Sequence, residues 1–343
     1  AIYFIRPVTV LLASYFVVKK LKDKLAFFNI IVLIGFVFAF IHVAHMGLKF
    51  FEVSANVSSI RNYFGRHNHV EMIALFLVIC YKELPMKKTR FKILYQIFVF
   101  CLVLSFILYF SRTMILVLVL MVLAYKGYLK LNTKGLIYLS GLLLLTASFI
   151  FFISQYEPSN TTGVVNTFLL KMKNSFTEAF KPIKIDKSLG DRRELWAHWR
   201  AYEANLVIDE VHKERAWIFG KGFGSSVDVG FEIRLQEEWI QNLPTVHNGL
   251  AYVYMKTGIL GLMVYGFGIL IIYLYYYSKD SDEETATYNR LLASYSFYML
   301  VSSLVVTGVF KPYDMVTLLI GGTFALKQYR NYEDRNSRDQ RNT

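Results

Sequence analysis

The sequence predicts an all-α, polytopic helical membrane protein: about nine transmembrane helices and one large, partly helical extracytoplasmic loop. Three observations carry that expectation. Of 343 residues, 55% are hydrophobic and 17% aromatic, with mean hydropathy +0.38, a balance suited to lipid and not to a soluble domain. Apolar runs recur at about the 20-residue length that a helix needs to cross hydrocarbon. Polar connections are short, except for one stretch from about Gln155 to Val246.

The runs lie near 2–18, 25–46, 68–84, 91–110, 113–129, 135–154, 258–277, 291–310 and 313–327. Each is too continuously apolar for a barrel strand, and in lipid only closed backbone hydrogen bonding survives. The chain then divides into six helices over 1–154, the loop over 155–246, three helices over 247–327 and a polar cytoplasmic tail over 328–343. A net charge of +13 would suggest nucleic acid in a soluble protein. Here Lys and Arg gather in alternate short loops, as cytoplasmic loops do. Lys19 to Lys24, Lys82 to Lys92, Lys126 to Lys134, Lys279 with Arg290, and the tail form the rich set. Arg6, Lys49, Arg61, Arg66, Arg112 and Lys311 form the poor one. The long loop thus faces outward, and no nucleic-acid partner is expected. Ala1 falls inside an apolar stretch on the outer side, so a further helix is expected upstream. Cys80 and Cys101 both fall within expected spans, which implies no disulfide framework.

Ionisable groups within apolar sequence are functional candidates. His42 and His45 close the second span. Arg66, His67, Asn68, His69 and Glu71 open the third. Ser111-Arg112 makes the turn between spans four and five, Lys256 lies near the start of the seventh, and Lys311 and Asp314 flank the last outer turn. All fall at outer ends, which suggests a polar chamber open to the outer leaflet. Charges at interfaces are also the ordinary condition of membrane proteins.

Within the loop, Asp191 and Glu194 bracket a capping-box-like helix start. A helix is expected from Arg192 to about Asp209, with Leu195, Trp196, Trp199 and Leu206 at helical spacing. Arg192 and Arg193 in its first turn oppose the helix dipole. Either the two acids neutralise them, or guanidinium and free backbone N–H groups form an anion site suited to a pyrophosphate. Gly220-Lys221-Gly222-Phe223-Gly224 lacks the context of a nucleotide loop and reads as a flexible turn between helices. Phe231, Leu235 and Trp239 at i, i+4, i+8 predict an amphipathic helix. Thr245 is a candidate cap for the next helix. His247 follows it, either a polar interface residue or the side chain best suited to general-base work near neutral pH. Asp280-Ser281-Asp282 reads as a solvated acidic linker, not a metal site. No metal or other cofactor is expected.

Four patterns together resemble the O-antigen ligase and Wzy-type polymerase superfamily of bacterial envelope glycosyltransferases, over roughly Tyr63 to Leu326. They are Gly65-Arg66-His67-Asn68; Ser111-Arg112; Gly190-Asp191-Arg192-Arg193-Glu194-Leu195-Trp196 with Phe219-Gly220-Lys221-Gly222-Phe223-Gly224; and His247-Asn248-Gly249-Leu250 with Thr257-Gly258-Ile259-Leu260-Gly261-Leu262. The resemblance implies transfer of a glycan from a polyprenyl-pyrophosphate donor to a sugar or lipid-linked acceptor, without metal, at the outer face of the bacterial inner membrane. It implies His247, Arg192 and Arg112 as the catalytic set, with Arg193, Arg66, His67, Asn68 and Asn248 as substrate contacts. The alternative from another class is a transporter or flippase of lipid-linked saccharides.

Overall fold

A computed structural model describes residues 2–48, 68–84, 92–109, 111–155, 198–235, 238–279, 282–311 and 314–342, with Asn166, Leu169, Lys173 and Leu195 besides. Helices dominate: α1 Ile2–Lys20, α2 Ala26–Leu48, α3 Asn68–Cys80, α4 Lys92–Leu108, α5 Arg112–Tyr125, α6 Thr133–Ser154, α7 Trp199–Lys213, α8 Gly249–Leu274, α9 Glu283–Val305 and α10 Val316–Asn342. Among the described residues, four helices are long and apolar enough to cross a membrane: Ile2–Lys20, Ala26–Leu48, Thr133–Ile153 and Gly249–Tyr277. Asn68–Cys80, Lys92–Leu108 and Arg112–Tyr125 are apolar but shorter.

Helix ends follow polar caps more than the limits of the apolar runs. Asn132 accepts from the Gly135 amide at 2.7 Å and starts α6. Asp282 accepts from the Thr285 amide at 2.7 Å and starts α9 eight residues before the expected span. Asp314 accepts from the Val316 amide at 2.9 Å and starts α10. That last helix continues to Asn342, so the expected polar tail is helical. The linker residue Asp282 is a cap and also pairs with Arg330 at 2.6 Å.

The chain divides into two compact units. Unit one comprises Ala1–Pro7, Met172–Ile271 and Met299–Pro312; unit two comprises Val8–Lys171, Ile272–Tyr298 and Tyr313–Thr343. In unit two, α2 packs on α3 and α4, and α3 also contacts α5. Its core holds Phe28, Phe36, Met72, Phe76, Tyr288 and Tyr295. His42 and Glu71 do not line an open chamber. They are buried and joined through Ser105: the His42 Nδ1 lies 2.6 Å from the Ser105 hydroxyl, which donates to Glu71. Tyr109 donates to the other Glu71 oxygen at 2.9 Å and stacks on the His42 ring at 4.2 Å.

In unit one the expected amphipathic helix over 231–240 is a two-stranded antiparallel hairpin, β1 Val227–Leu235 and β2 Glu238–Leu243. A spacing of four satisfies both a helical and a strand period, so Phe231, Leu235 and Trp239 do not discriminate. Val227, Val229 and Ile233 do: they alternate with Asp228, Gly230, Glu232 and Arg234, and all three are buried. A register irregularity between Asp228 and Ile233 contains Gly230. Helix α7 lies against β1, with the Tyr202 hydroxyl donating to the Val229 carbonyl at 2.7 Å.

The glycine-rich segment is a threaded insert and not a flexible turn between helices. It joins α7 to β1, and it enters α8, which breaks at Gly258 (φ 63, ψ −159). There Ile259 and Leu260 give up the i−4 carbonyls of Met255 and Lys256. Their amides donate to Trp217 (2.9 Å) and Ile218 (3.3 Å). The two abandoned carbonyls accept from Lys221 (2.7 Å) and Gly222 (3.2 Å). Four backbone groups exposed by the break thus find partners in one short segment, which a break in an apolar helix requires. Backbones approach this closely because both crossing residues are glycine with positive φ. A Cβ on Gly220 would lie 2.3 Å from the Thr257 nitrogen, and one on Gly258 would lie 2.3 Å from the Ile218 oxygen.

Candidate active site

The hairpin, α7 and the start of α8 converge on His247. Strand β2 runs through Pro244, Thr245 and buried Val246 into His247-Asn248. The cap of α8 is Asn248 and not Thr245: its side-chain oxygen accepts from the Ala251 amide at 3.0 Å, and its amide donates to the Leu304 carbonyl at 3.2 Å. The Gly249 amide donates to Val306 at 3.1 Å, and Thr307 donates to the Val246 carbonyl at 3.1 Å. The His247 backbone is therefore held from both sides. Asn248, a candidate substrate contact, uses both ends of its side chain in this clasp.

Helix α7 supplies the partner. The stripe it buries is Ala201, Glu203, Val207 and Val211, so a carboxylate occupies an apolar position. Glu203 accepts from the His247 backbone amide at 2.7 Å, and its two oxygens lie 2.9 and 3.0 Å from His247 Nδ1. The Glu203 side chain is 1% exposed, the His247 side chain 56%. A carboxylate at Nδ1 fixes the tautomer that carries its proton there. It leaves Nε2, on the far edge of the ring, as acceptor, and stabilises the imidazolium once Nε2 takes a proton. A buried acid orienting an exposed imidazole is the equipment of a general base.

Further along α7, Glu210 at 2.5 Å and Glu214 at 2.7 Å, just past its end, pair with Lys221. Burial opposes its charge, but the two carboxylates outweigh burial and hold the ammonium above its ordinary range. Glu210 also accepts from the Asp228 amide at 2.8 Å, tying α7, the glycine segment and β1 together. The buried Lys256 donates to the Ser225 carbonyl. These cations are structural ties.

Of the residues expected from sequence, His247 and Asn248 belong to unit one. Arg112 opens α5 and Asn68 opens α3, both in unit two. Arg66, His67, Arg192 and Arg193 lie outside the described residues, as does the capping box at Asp191 and Glu194. Glu203 was missed by sequence reasoning. Its signal was an acid at i−4 and i−8 from Val207 and Val211, within a stripe otherwise free of charge.

The architecture is that of a helical protein with membrane-length apolar helices. No family model, curated protein or solved structure matches the chain.

Proposed function

We propose that the chain is a glycosyltransferase that uses a polyprenyl-pyrophosphate-linked glycan, at the outer face of a bacterial inner membrane, with His247 as general base. The observation that carries this reading is the buried Glu203 carboxylate on Nδ1 of an exposed His247. His247 Nε2 takes the proton from an acceptor hydroxyl. The freed oxygen bonds to the anomeric carbon of the donor, the bond from that carbon to the pyrophosphate oxygen breaks, and the anomeric centre inverts. The electron pair leaves on the carrier pyrophosphate, whose charge the sequence resemblance assigns to Arg112 and Arg192. Polymerase and ligase share this chemistry and differ in the acceptor.

The test is glycan analysis of cells carrying His247→Ala or Glu203→Gln, with membrane insertion verified. Loss of long surface glycan with accumulation of the lipid-linked donor is expected for both. Unchanged glycan in both variants overturns the base assignment. The reaction is proposed to run without metal, so turnover by the purified protein should survive EDTA. Abolition by chelator with rescue by Mg²⁺ or Mn²⁺ would count against the mechanism.

One observation favours a second reading, proton-coupled transport of a lipid-linked saccharide. Glu71 is buried among apolar helices with hydroxyl partners, and Ser105 links it to His42. A serine hydroxyl between a carboxyl group and an imidazole can pass a proton either way, and carboxylates in such surroundings often serve proton coupling. Proton uptake driven by substrate in vesicles, lost in Glu71→Gln and kept in His247→Ala, would select this reading over the first.

A further inference from the structure

Trp217, Ile218 and Phe219 stand at the surface of unit one, where an ordinary loop would be polar. Their exposures are 51%, 36% and 74%. They cannot float freely, because the Trp217 and Ile218 carbonyls accept the Ile259 and Leu260 amides. Their height is thereby tied to one level of α8.

That level is distinctive. Before it, Ala251, Tyr252, Val253, Met255 and Lys256 are buried in protein. After it, Ile259, Leu260, Met263, Val264, Phe267 and Leu270 are exposed. An apolar helix face bare from Ile259 onward is a face for lipid. From Gly258 to Tyr277, at about 1.5 Å per residue, the helix covers about 30 Å, which is the thickness of a hydrocarbon core. Tyr273, Tyr275 and Tyr277, none of them buried, stand at its far end, as aromatic belts do where hydrocarbon meets water. Gly258 then marks the opposite boundary.

We propose that Trp217, Ile218 and Phe219 form an anchor seated in that opposite membrane interface, with the lipid headgroup and upper acyl region as partner. The anchor fixes the depth of α8. It also holds the Gly249 end of the helix, next to His247, roughly 14 Å beyond the boundary, given nine residues of helical rise. An indole with an apolar body and one N–H donor suits this zone. The inference rests on α8 lying in a bilayer and not on glycosyl transfer, so a failed transferase assay leaves it standing.

The test uses the full chain in liposomes. Trp196→Phe, Trp199→Phe and Trp239→Phe together leave Trp217 as the single tryptophan of the four. Lipids brominated near the headgroup should quench its fluorescence more than lipids brominated near the chain end. Aqueous acrylamide should quench it weakly. Strong acrylamide quenching without bromolipid quenching would overturn the proposal by placing the segment in water. Stronger quenching by the deep label would overturn it by placing the segment in the core. Should the triple variant fail to insert, the bromolipid-quenched signal lost between native protein and Trp217→Phe reports the same ring.

Discussion

Glu203 is where chemistry and folding part company. Gln in its place can still accept the His247 backbone amide, but its NH₂ donates where Nδ1 needs an acceptor. The imidazole then favours the wrong tautomer. Under the proposed mechanism, turnover of Glu203→Gln should fall by about 10²–10⁴-fold, the usual worth of general-base help, while the inserted protein level stays near native. Comparing turnover per inserted molecule checks this, and a loss under threefold would mean the pair is structural only. Arg192→Lys should cost more than a conservative change suggests, because Lys lacks the bidentate fork. Normal turnover in that variant would remove Arg192 from the proposed pyrophosphate contacts. At this scale the sequence exposed His247, a polar side chain at the mouth of an apolar run. It hid Glu203, because a contact between residues 44 apart in the chain leaves no local pattern. The misplaced acid in the α7 stripe was the visible trace.

The threaded break in α8 ties the glycine segment to the helix through four backbone hydrogen bonds. Ala at Gly258 or Gly220 would place Cβ within 2.3 Å of backbone and demand a positive φ. Conformational strain of this kind costs about 1–3 kcal/mol, and each of the four exchanged hydrogen bonds is worth about 0.5–1.5 kcal/mol. Either substitution should therefore lower the unfolding midpoint in detergent, and the double variant should cost less than the sum of the singles, since both break one crossing. Strict additivity would show that the two glycines do not share a contact. The sequence displayed both glycine patterns but not their pairing. The hairpin is hidden in the sequence for a different reason. Large apolar residues at spacing four fit two periods, and the smaller Val227 and Val229 settled the choice.

Across the whole molecule, the apolar runs were legible as helices, although among the described residues four helices, and not the nine expected, are long and apolar enough to cross a membrane. Helix starts were less legible, since Asn248 and Asp282 cap from polar sequence outside the runs. Asp282 also carries a pH prediction. Burial raises its pKa, but the Thr285 amide and the Arg330 guanidinium more than offset this and hold the carboxyl below its ordinary range. A depressed folded-state pKa means the contribution is fully present above the unfolded value, about 3.9, and fades as pH falls through the folded one. The unfolding midpoint of native protein should therefore exceed that of Asp282→Asn at pH 7 and approach it in acid. A gap that stays constant down to the acid limit would assign the effect to the cap and not to charge.

The exchange of partners at Gly258 also sets a rhythm of opening. The amides of Lys221, Gly222, Ile259 and Leu260 all belong to one crossing, so separating its two backbones releases all four together. In deuterated buffer these four should show a common degree of protection relative to their intrinsic exchange rates, although Gly222 and Ile259 are 37 positions apart in the chain, and should open as a cooperative block. Neighbours on the unbroken stretch of α8 would keep a clock of their own.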